Sequence, residues 1–234
     1  MTLTERDTQP VGPDVPGWSP RPAPPTTPIE GRYARVERLD AARHAGDLFE
    51  ANAPDATGRN WTYLFAEKPA TIEAYRAWAA QASATEDPFF HAIVDLGTGR
   101  AAGVAALMRI DRANGVIEVG HINFSPRLQR TRAATEAIFL LMRRAFDELG
   151  YRRFEWKCDS LNAPSRAAAL RFGFTFEGIF RQAVIYKGRS RDTAWFSIID
   201  KEWPAVKAAF ERWLDPANFG ADGRQRRRLQ DFRS

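Results

Sequence analysis

The sequence predicts a mixed α/β fold in which a mostly antiparallel sheet is flanked by helices. Three apolar-rich runs, 89–96, 101–110 and 116–124, follow one another with only short turns between them, which favours an antiparallel meander. Segments with a helical period then alternate with further apolar runs. Of the 234 residues 44% are apolar and 27% are charged, as in ordinary globular proteins, so one large domain is expected.

One strand and two helices are predicted before the meander. Residues 32–39 alternate enough for a strand, and Asp40 is a natural N-cap for the helix that follows it. A second helix follows an aromatic stretch, and its apolar side chains recur at helical spacing: Ile72, Tyr75, Ala79 and Ala82.

Three helices and three strands are predicted after the meander. The first helix follows Pro126 and ends at Gly150, with apolar side chains three and four residues apart. The remaining elements are a strand at 151–157, a short helix at 164–172 closed by Gly173, a hairpin of 174–186 and 193–199 turning near Gly188, and a last helix starting near Pro204.

The ends of the chain differ in composition from its centre, which predicts three parts: a proline-rich extended arm at 1–29, a domain at 30–216 and a basic tail at 217–234. Trp18 is expected to anchor the arm, either across the domain or on a second subunit. The tail arginines could touch RNA or a phosphorylated ligand, but almost no aromatic side chains interleave with them. A solvated terminus is therefore favoured, and nucleic-acid binding is not expected.

Several protein classes are excluded by composition. No window approaches eighteen uncharged apolar residues and the first twenty lack the apolar run of a signal peptide, so a cytoplasmic protein without a membrane segment is expected. Cys158 is the one cysteine, which rules out an intramolecular disulfide and gives no basis for a metal site. We predict a buried structural cysteine and no metal.

The segment 118–178 carries the chemistry. A strand ends in Gly-His-Ile-Asn-Phe at 120–124, the run Gln-Arg-Thr-Arg-Ala-Ala-Thr-Glu-Ala follows at 129–137, and Asn-Ala-Pro-Ser at 162–165 leads to Gly173. This order resembles the acetyl-CoA core of the GNAT superfamily of acyl-CoA-dependent N-acyltransferases, within it the branch of ribosomal-protein N-terminal (alanine/serine) acetyltransferases. The resemblance covers roughly residues 30–215, and it implies a GNAT-like twisted sheet with a central splayed strand pair.

The loop before the first helix of this segment is expected to bind the diphosphate of acetyl-CoA, because a helix N-terminus presents free N–H groups and partial positive charge. Gln129 and Ala134 match the superfamily signature, whereas Arg132 replaces a Gly. Arg132 and Arg130 add guanidinium groups that could clamp phosphates. The predicted cofactor-binding residues of the loop are Gln129, Arg130, Thr131, Arg132, Ala133, Ala134 and Thr135.

The central strand is implied by the resemblance to hold the thioester through Ile122, Asn123 and Phe124. The backbone N–H of Ile122 or of Asn123 is the candidate donor to the oxyanion. By the twofold period of strands, Glu118, Gly120, Ile122 and Phe124 are expected on one face, and Val119, His121 and Asn123 on the other.

Glu118 is the candidate general base, with partial burial raising its proton affinity. A carboxylate that merely pairs with an arginine is the structural alternative for Glu118. His121 is a second candidate base, although a strand histidine more often satisfies a core hydrogen bond. Asp192 is a further acidic candidate, over which Glu118 is favoured.

The second motif implies that Asn162 binds CoA. Many relatives place a proton-donating Tyr seven residues later, where this chain has Ala169, so Ser165 becomes the candidate acid and a further cofactor contact. Its structural alternative is a first-turn or capping Ser. Val184 also stands where related enzymes can carry an acidic residue that orders the amine.

These observations predict an acetyl-CoA-dependent N-acetyltransferase that transfers the acetyl group directly to a primary amine, either a protein N-terminus or a small molecule. The departures leave one alternative open, a catalytically weak acyl-CoA-binding or regulatory protein, with RNA association through the tail as a further one. The apolar C-terminal hairpin and helix either form a homodimer interface or close the core.

Overall fold

The computed structural model describes residues 9–233, which form one eight-stranded sheet with helices on both faces. The strands are β1 Ile29–Glu30, β2 Ala34–Arg38, β3 Phe89–Asp95, β4 Arg100–Asp111, β5 Val116–Phe124, β6 Arg153–Asp159, β7 Thr175–Tyr186 and β8 Arg189–Ile199. The helices are α1 Ala41–Ala51, α2 Ile72–Ser83, α3 Arg132–Arg143, α4 Ala163–Phe172 and α5 Trp203–Leu214.

The sheet order is β1-β2-β3-β4-β5-β6-β8-β7, and all neighbours are antiparallel except β5 and β6. This parallel pair runs only from Val116 opposite Arg153 to Val119 opposite Trp156. Both strands continue beyond that point, β5 to Phe124 and β6 to Asp159, without pairing to each other. The expected mostly antiparallel sheet with a central splayed pair is confirmed.

Helices α1, α2 and α3 each begin directly after a residue whose side chain caps them. Asp40 accepts the N–H of Arg43 at the start of α1, Thr71 accepts that of Ala74 at α2, and the hydroxyl of Thr131 accepts that of Ala134 at α3. After α3 the chain makes one π turn, Arg144–Glu148, before Gly150. One apolar core lies between the sheet and α3, α4 and α5, and a second lies under α1 and α2.

A β-bulge in β5 corrects the expected faces of that strand. Ala106 stands opposite Gly120 and Val104 opposite Asn123, so β5 has one residue more than β4 between these pairs, and His121 takes a left-handed φ of 48°. The extra residue shifts the alternation by one. Ile122 and Phe124 therefore pack against the core under α3 with Ile117 and Val119, whereas His121 and Asn123 share the opposite face with Glu118 and Gly120.

The N-terminal arm lies across the domain. The Trp18 indole donates to the carbonyl of Ala113 at 2.7 Å, and the Arg21 guanidinium stacks on the Trp18 ring. Arg144 in the π turn and Tyr151 beyond it donate to backbone carbonyls between Pro22 and Thr27. The described part of the arm is thus fixed by hydrogen bonds to the core of its own chain.

The C-terminal segment also packs on the domain. Leu229 and Phe232 are buried against α4 and α5, and Arg233 donates to the carbonyl of Leu170. The Arg227 guanidinium stacks on Phe232. Although this segment is rich in arginine, apolar contacts hold it, and it does not extend into solvent as a tail would.

Within residues 9–233 no helix has the length and apolar character needed to cross a membrane.

Candidate active site

A cleft of about 1820 Å³ passes through the sheet where β5 and β6 separate. It is lined from the α1 and α2 side by Glu118 and His121, and from the opposite side by Ala134 and Ala168. All the predicted site residues except Ala133 line it: Glu118, Ile122, Asn123, Phe124, Gln129, Arg130, Thr131, Arg132, Ala134, Thr135, Asn162 and Ser165. The Ala133 side chain is buried in the core, so only its backbone could serve a ligand.

The loop between β5 and α3 is built around hydrogen bonds of its own. The Gln129 amide donates to the carbonyl of Phe124 at 2.8 Å and to Oδ1 of Asn60 at 3.0 Å, so this side chain closes the end of β5. Thr131 caps the helix, and Arg130 takes a left-handed φ of 62°. The first turn of α3, with the partial positive charge of a helix N-terminus, thereby lines the cleft beside Arg130.

Arg132, which replaces the Gly of the superfamily signature, does not occupy a strained position. Arg132 is the first residue of α3, and the left-handed conformation falls on Arg130 instead. The Arg132 guanidinium lies over the rings of Tyr33 and Phe219, 4.6 and 4.8 Å from their centroids. These aromatic contacts hold its positive charge at the edge of the cleft.

The backbone of β5 presents Ile122 to the split. The N–H of Ser125 donates to the carbonyl of Ala102 on β4, and since successive backbone groups alternate in direction, Asn123 also turns its N–H toward β4. Ile122 and Phe124 turn theirs toward β6, as the Phe124 carbonyl bonded to Gln129 illustrates. Of the two candidate oxyanion donors, the alternation favours Ile122.

Glu118 is buried between two cations. Its Oε2 lies 2.7 Å from Arg109 Nη1 and 2.9 Å from Lys157 Nζ, and Lys157 continues to Glu155 at 2.6 Å. The structural alternative from the sequence, a carboxylate paired with an arginine, thus describes the observed contacts, although the side chain is 3% exposed and not on the surface. Before Glu118 could accept a substrate proton, its existing ion pairs would have to adjust.

His121 lies on the same face of β5 as Glu118, and its side chain is held by fewer polar contacts. Its ring contacts Phe65 and Phe90 and makes no hydrogen bond among the described residues. Burial, and behind it the positive charge of Arg109, lowers the pKa of His121 below its usual range. A neutral imidazole with a free nitrogen in the cleft has the properties of a proton acceptor at neutral pH.

Asn162 and Ser165 lie at the start of α4, facing the split from the β6 side. Asn162 is the N-cap, and its Oδ1 accepts the N–H of Ser165 at 3.2 Å. The amide nitrogen of Asn162 has no partner among residues 9–233. Ser165 Oγ accepts from the Trp156 indole at 2.9 Å and also bonds the buried thiol of Cys158, whose pKa is raised by burial. Asn162 is therefore the capping residue, and Ser165 is not.

The two further departures from the superfamily pattern fall in different surroundings, because Ala169 is fully buried and Val184 is half-buried on β7. The acidic candidate Asp192 accepts the N–H of Gln182 through its carboxylate. A tyrosine from elsewhere does reach this region, because the hydroxyl of Tyr186 donates to Asp159 at 2.8 Å. Burial, and behind it this bond, raises the pKa of Tyr186 to about 12.

Sequence reasoning missed the residues that close the cleft from distant parts of the chain. Tyr63 donates to the carbonyl of Leu161 across the opening, and Lys187 in the β7–β8 turn donates to that of Trp61. At the other end, the C-terminal Trp213, Phe219 and Arg224 line the cleft near α3. The aromatic stretch before α2 indicated part of this wall, but nothing local indicated the C-terminal part.

The sheet is split by two diverging parallel strands, with a helix N-terminus at one mouth of the split and a titratable side chain at the other. This is the architecture of an acetyltransferase of the GNAT type. The sequence profile of the acetyltransferase (GNAT) domain matches residues 35–175. The chain therefore belongs to the GNAT acetyltransferase family.

Individual relatives agree with this assignment. A GCN5-related N-acetyltransferase structure from Brucella melitensis is 52% identical, with a TM-score of 0.92 over 94% of this chain and 99% of that one. A probable GNAT-family acetyltransferase from Chromobacterium violaceum ATCC 12472 is 43% identical, with a TM-score of 0.77 over 85% of this chain and 99% of that one.

A curated protein, "Putative ribosomal N-acetyltransferase YdaF" of Bacillus subtilis (strain 168), is 27% identical over 152 residues, 63% of this chain and 80% of that protein. The predicted resemblance to the ribosomal-protein acetyltransferase branch is confirmed by this similarity.

Proposed function

We propose that the protein catalyses acetyl-CoA-dependent N-acetylation of a primary amine by direct transfer. The observation that carries the proposal is the cleft through the sheet, because it lets the two substrates meet from opposite faces at the split backbone of β5. Acetyl-CoA, when bound, supplies the thioester from which the acetyl group is transferred. The residues of the chain bind, orient and handle protons around it.

The cofactor side fits the α3 and α4 face. The N–H groups at the start of α3 and the charges of Arg130 and Arg132 suit a diphosphate, and the unpaired amide nitrogen of Asn162 suits an amide of the pantetheine arm. The N–H of Ile122 is turned into the split, where a donor can stabilise an oxyanion. Ser165 is the proposed proton donor to the departing thiolate; its oxygen accepts from Trp156, and its hydroxyl would turn from the Cys158 thiol to donate.

The acceptor side fits the face of α1 and α2, which carries His121 and Glu118. We assign proton acceptance to His121 ahead of Glu118, because the imidazole is free of hydrogen bonds to described residues while Glu118 Oε2 is held by two cations. Glu118 then acts by holding Arg109 and Lys157 in place. The name of the B. subtilis relative supports a protein N-terminus as acceptor, and a small-molecule amine remains the second acceptor class to test.

The test is release of free CoA from acetyl-CoA with a panel of amines and N-terminal peptides. We expect amine-dependent release, and we expect His121→Gln to reduce kcat by roughly 100-fold or more, the usual contribution of a general base. His44→Gln is the matched control, because His44 is buried against Glu37 at 2.7 Å and does not line the cleft. Full activity of His121→Gln would return the role of base to Glu118.

The pH profile gives a second check on this assignment. Because the pKa of His121 is lowered, the imidazole is neutral over a wider range than free histidine, and kcat/KM should fall only when the pH drops below the usual histidine range. No release of CoA with any amine across the panel would instead identify a CoA-binding protein without catalysis.

A further inference from the structure

Positive charge without a counter-charge collects at the end of the cleft where α3 and α4 meet the C-terminal segment. Arg132 at the start of α3 and Arg171 near the end of α4 both line the cleft. Arg233 donates to the carbonyl of Leu170, the residue before Arg171, at 3.1 Å. None of these three arginines makes an ion pair within residues 9–233. Because partly buried like charges repel one another, a cluster of this kind indicates an anionic ligand.

Aromatic rings, not carboxylates, hold the two arginines of the cleft. Arg171 lies over the Trp213 ring, 5.1 Å from its centroid, and Arg132 lies 4.8 Å from the centroid of Phe219. The two rings contact each other edge to face at 5.1 Å, and both follow β8 in the chain. Contact with an aromatic face fixes a guanidinium but leaves its charge and its in-plane N–H groups for another partner.

Measured contacts place Arg171 beside the start of α3. Its Nη1 lies 3.1 Å from the hydroxyl oxygen of Thr135, which also lines the cleft. Thr135 is three residues beyond Arg132, which is about 4.5 Å along the axis of α3. Arg171 is therefore about one helical turn from the place proposed for the diphosphate. In CoA a single ribose ring joins the 5′-diphosphate to the 3′-phosphate, so two neighbouring phosphate sites suit this nucleotide.

Burial also shows that the charge of Arg171 is not balanced by the chain. The loss of water around its guanidinium, and behind it the charge of Arg233, lowers the pKa of Arg171. Within the described residues Arg171 uses only Nη1 in a hydrogen bond. Its remaining N–H groups can make the parallel pair of bonds by which a guanidinium binds a phosphate.

We propose that Arg171, together with Arg132 and the charge of Arg233, forms a second phosphate site that binds the 3′-phosphate of CoA. The proposal rests on the proposed use of acetyl-CoA, and it narrows the donor class to thioesters of a 3′-phosphorylated nucleotide. A thioester on a bare pantetheine arm, or on a nucleotide without the 3′-phosphate, lacks the group that this site binds.

The experiment compares CoA with 3′-dephospho-CoA, which lacks only this phosphate. Affinities are measured by calorimetry on the full chain, for the unaltered protein and for Arg171→Gln. We expect the unaltered protein to bind CoA about 10-fold or more tightly than dephospho-CoA. Arg171→Gln should weaken the binding of CoA and leave that of dephospho-CoA nearly unchanged, so the ratio of the two affinities falls. Arg189→Gln is the matched control, because Arg189 is exposed on β8 and does not line the cleft, and it should leave the ratio unchanged.

The outcomes separate this proposal from the function on which it rests. Equal affinity of the unaltered protein for the two nucleotides overturns the 3′-phosphate site, and that measurement does not depend on any variant folding. Equal weakening of both by Arg171→Gln also overturns it, because the side chain would then act at the diphosphate or in packing. Acetyl transfer from acetyl-CoA in either case keeps the N-acetyltransferase assignment. A preference for CoA without acetyl transfer to any amine supports the site and contradicts the catalytic function instead.

Discussion

At the scale of single residues, the site depends on side chains that have a structural contact and a free atom at once. Asn162 uses its oxygen to cap α4 and leaves its nitrogen facing the cleft. Ser165 accepts from the Trp156 indole, and its hydroxyl proton, which bonds the Cys158 thiol, is the one proposed for donation. The capping role that the sequence offered as an alternative for Ser165 belongs to Asn162, and the proposed cofactor contact of Asn162 is compatible with it because different atoms of the amide serve each purpose.

Two substitutions at Asn162 separate these purposes. Asn162→Asp keeps an oxygen that accepts the N–H of Ser165, so α4 should stay capped, whereas Asn162→Ala should cost about 1 kcal/mol of stability. Both remove the amide nitrogen, so both should weaken CoA binding by a similar factor. The measurements are thermal unfolding and CoA affinity. CoA affinity that survives in Asn162→Asp would place the cofactor elsewhere.

At the scale of secondary-structure elements, Glu136 connects the first strands to α3. Its buried carboxylate accepts the backbone N–H groups of Arg32, Tyr33 and Ala34 at 2.9, 2.5 and 2.7 Å. Gly31 permits this approach, since a Cβ there would stand 2.5 Å from Glu136 Oε2. The carboxylate thus orders the turn between β1 and β2, and in return that turn fixes the direction of the helix whose N-terminus faces the cleft.

Loss of this connection should be costly. Glu136→Gln keeps the shape but replaces a charged acceptor by an amide whose nitrogen would face N–H donors, so we expect about 2–3 kcal/mol of destabilisation. Glu50→Gln is the matched control, because Glu50 pairs with Arg100 and the two side chains are 56% and 46% exposed, so this change should cost less than about 0.5 kcal/mol. Chemical denaturation measures both. Equal effects would show that the three hydrogen bonds contribute little.

At the scale of the whole molecule, the described parts of both terminal segments pack on the GNAT domain. The arm is bound to Arg144 and Tyr151, and the C-terminal segment buries Leu229 and Phe232. Beneath this layer, His91 lies fully inside the sheet between the positive charges of Arg38 and Arg144. Burial first, and these charges second, lower the pKa of His91 to about 3.

His91 makes the fold sensitive to acid. The unfolded chain binds a proton at His91 near pH 6.5 and the folded chain only near pH 3, so stability is fully present above pH 6.5 and declines as the pH falls toward 3. Between pH 7 and pH 4.5 this residue should account for a loss of about 2 to 3 kcal/mol. His91→Gln should flatten that slope, as measured by urea unfolding at both pH values. An unchanged slope would show that other groups govern acid stability.

Much of the fold follows from local sequence. The sequence predicted the Asp40 cap, the apolar stripe of α2, the meander of β3 to β5, the glycines that end two helices, and the hairpin turn near Gly188. These features are predictable because capping, periodicity and turn chemistry act over a few residues. The short strand β1 was missed, since two residues carry no periodic signal.

What the sequence could not determine is the direction of individual side chains at the cleft. The family signature located the anion loop, the split strand and the Asn162 motif, because these are contiguous segments with fixed spacing. The bulge at His121 reversed the expected faces of β5 beyond Gly120, and only pairing with β4 reveals it.

The sequence by itself therefore determined the fold, the family and the position of the loop between β5 and α3, where we propose that the cofactor binds. Tertiary structure decided which atoms are free to react: it bound Glu118 to Arg109 and Lys157, and left the His121 ring without a bonded partner in the described chain. The physical reason is that hydrogen bonds and burial at the site join residues far apart in the chain, whereas sequence patterns report only on neighbours.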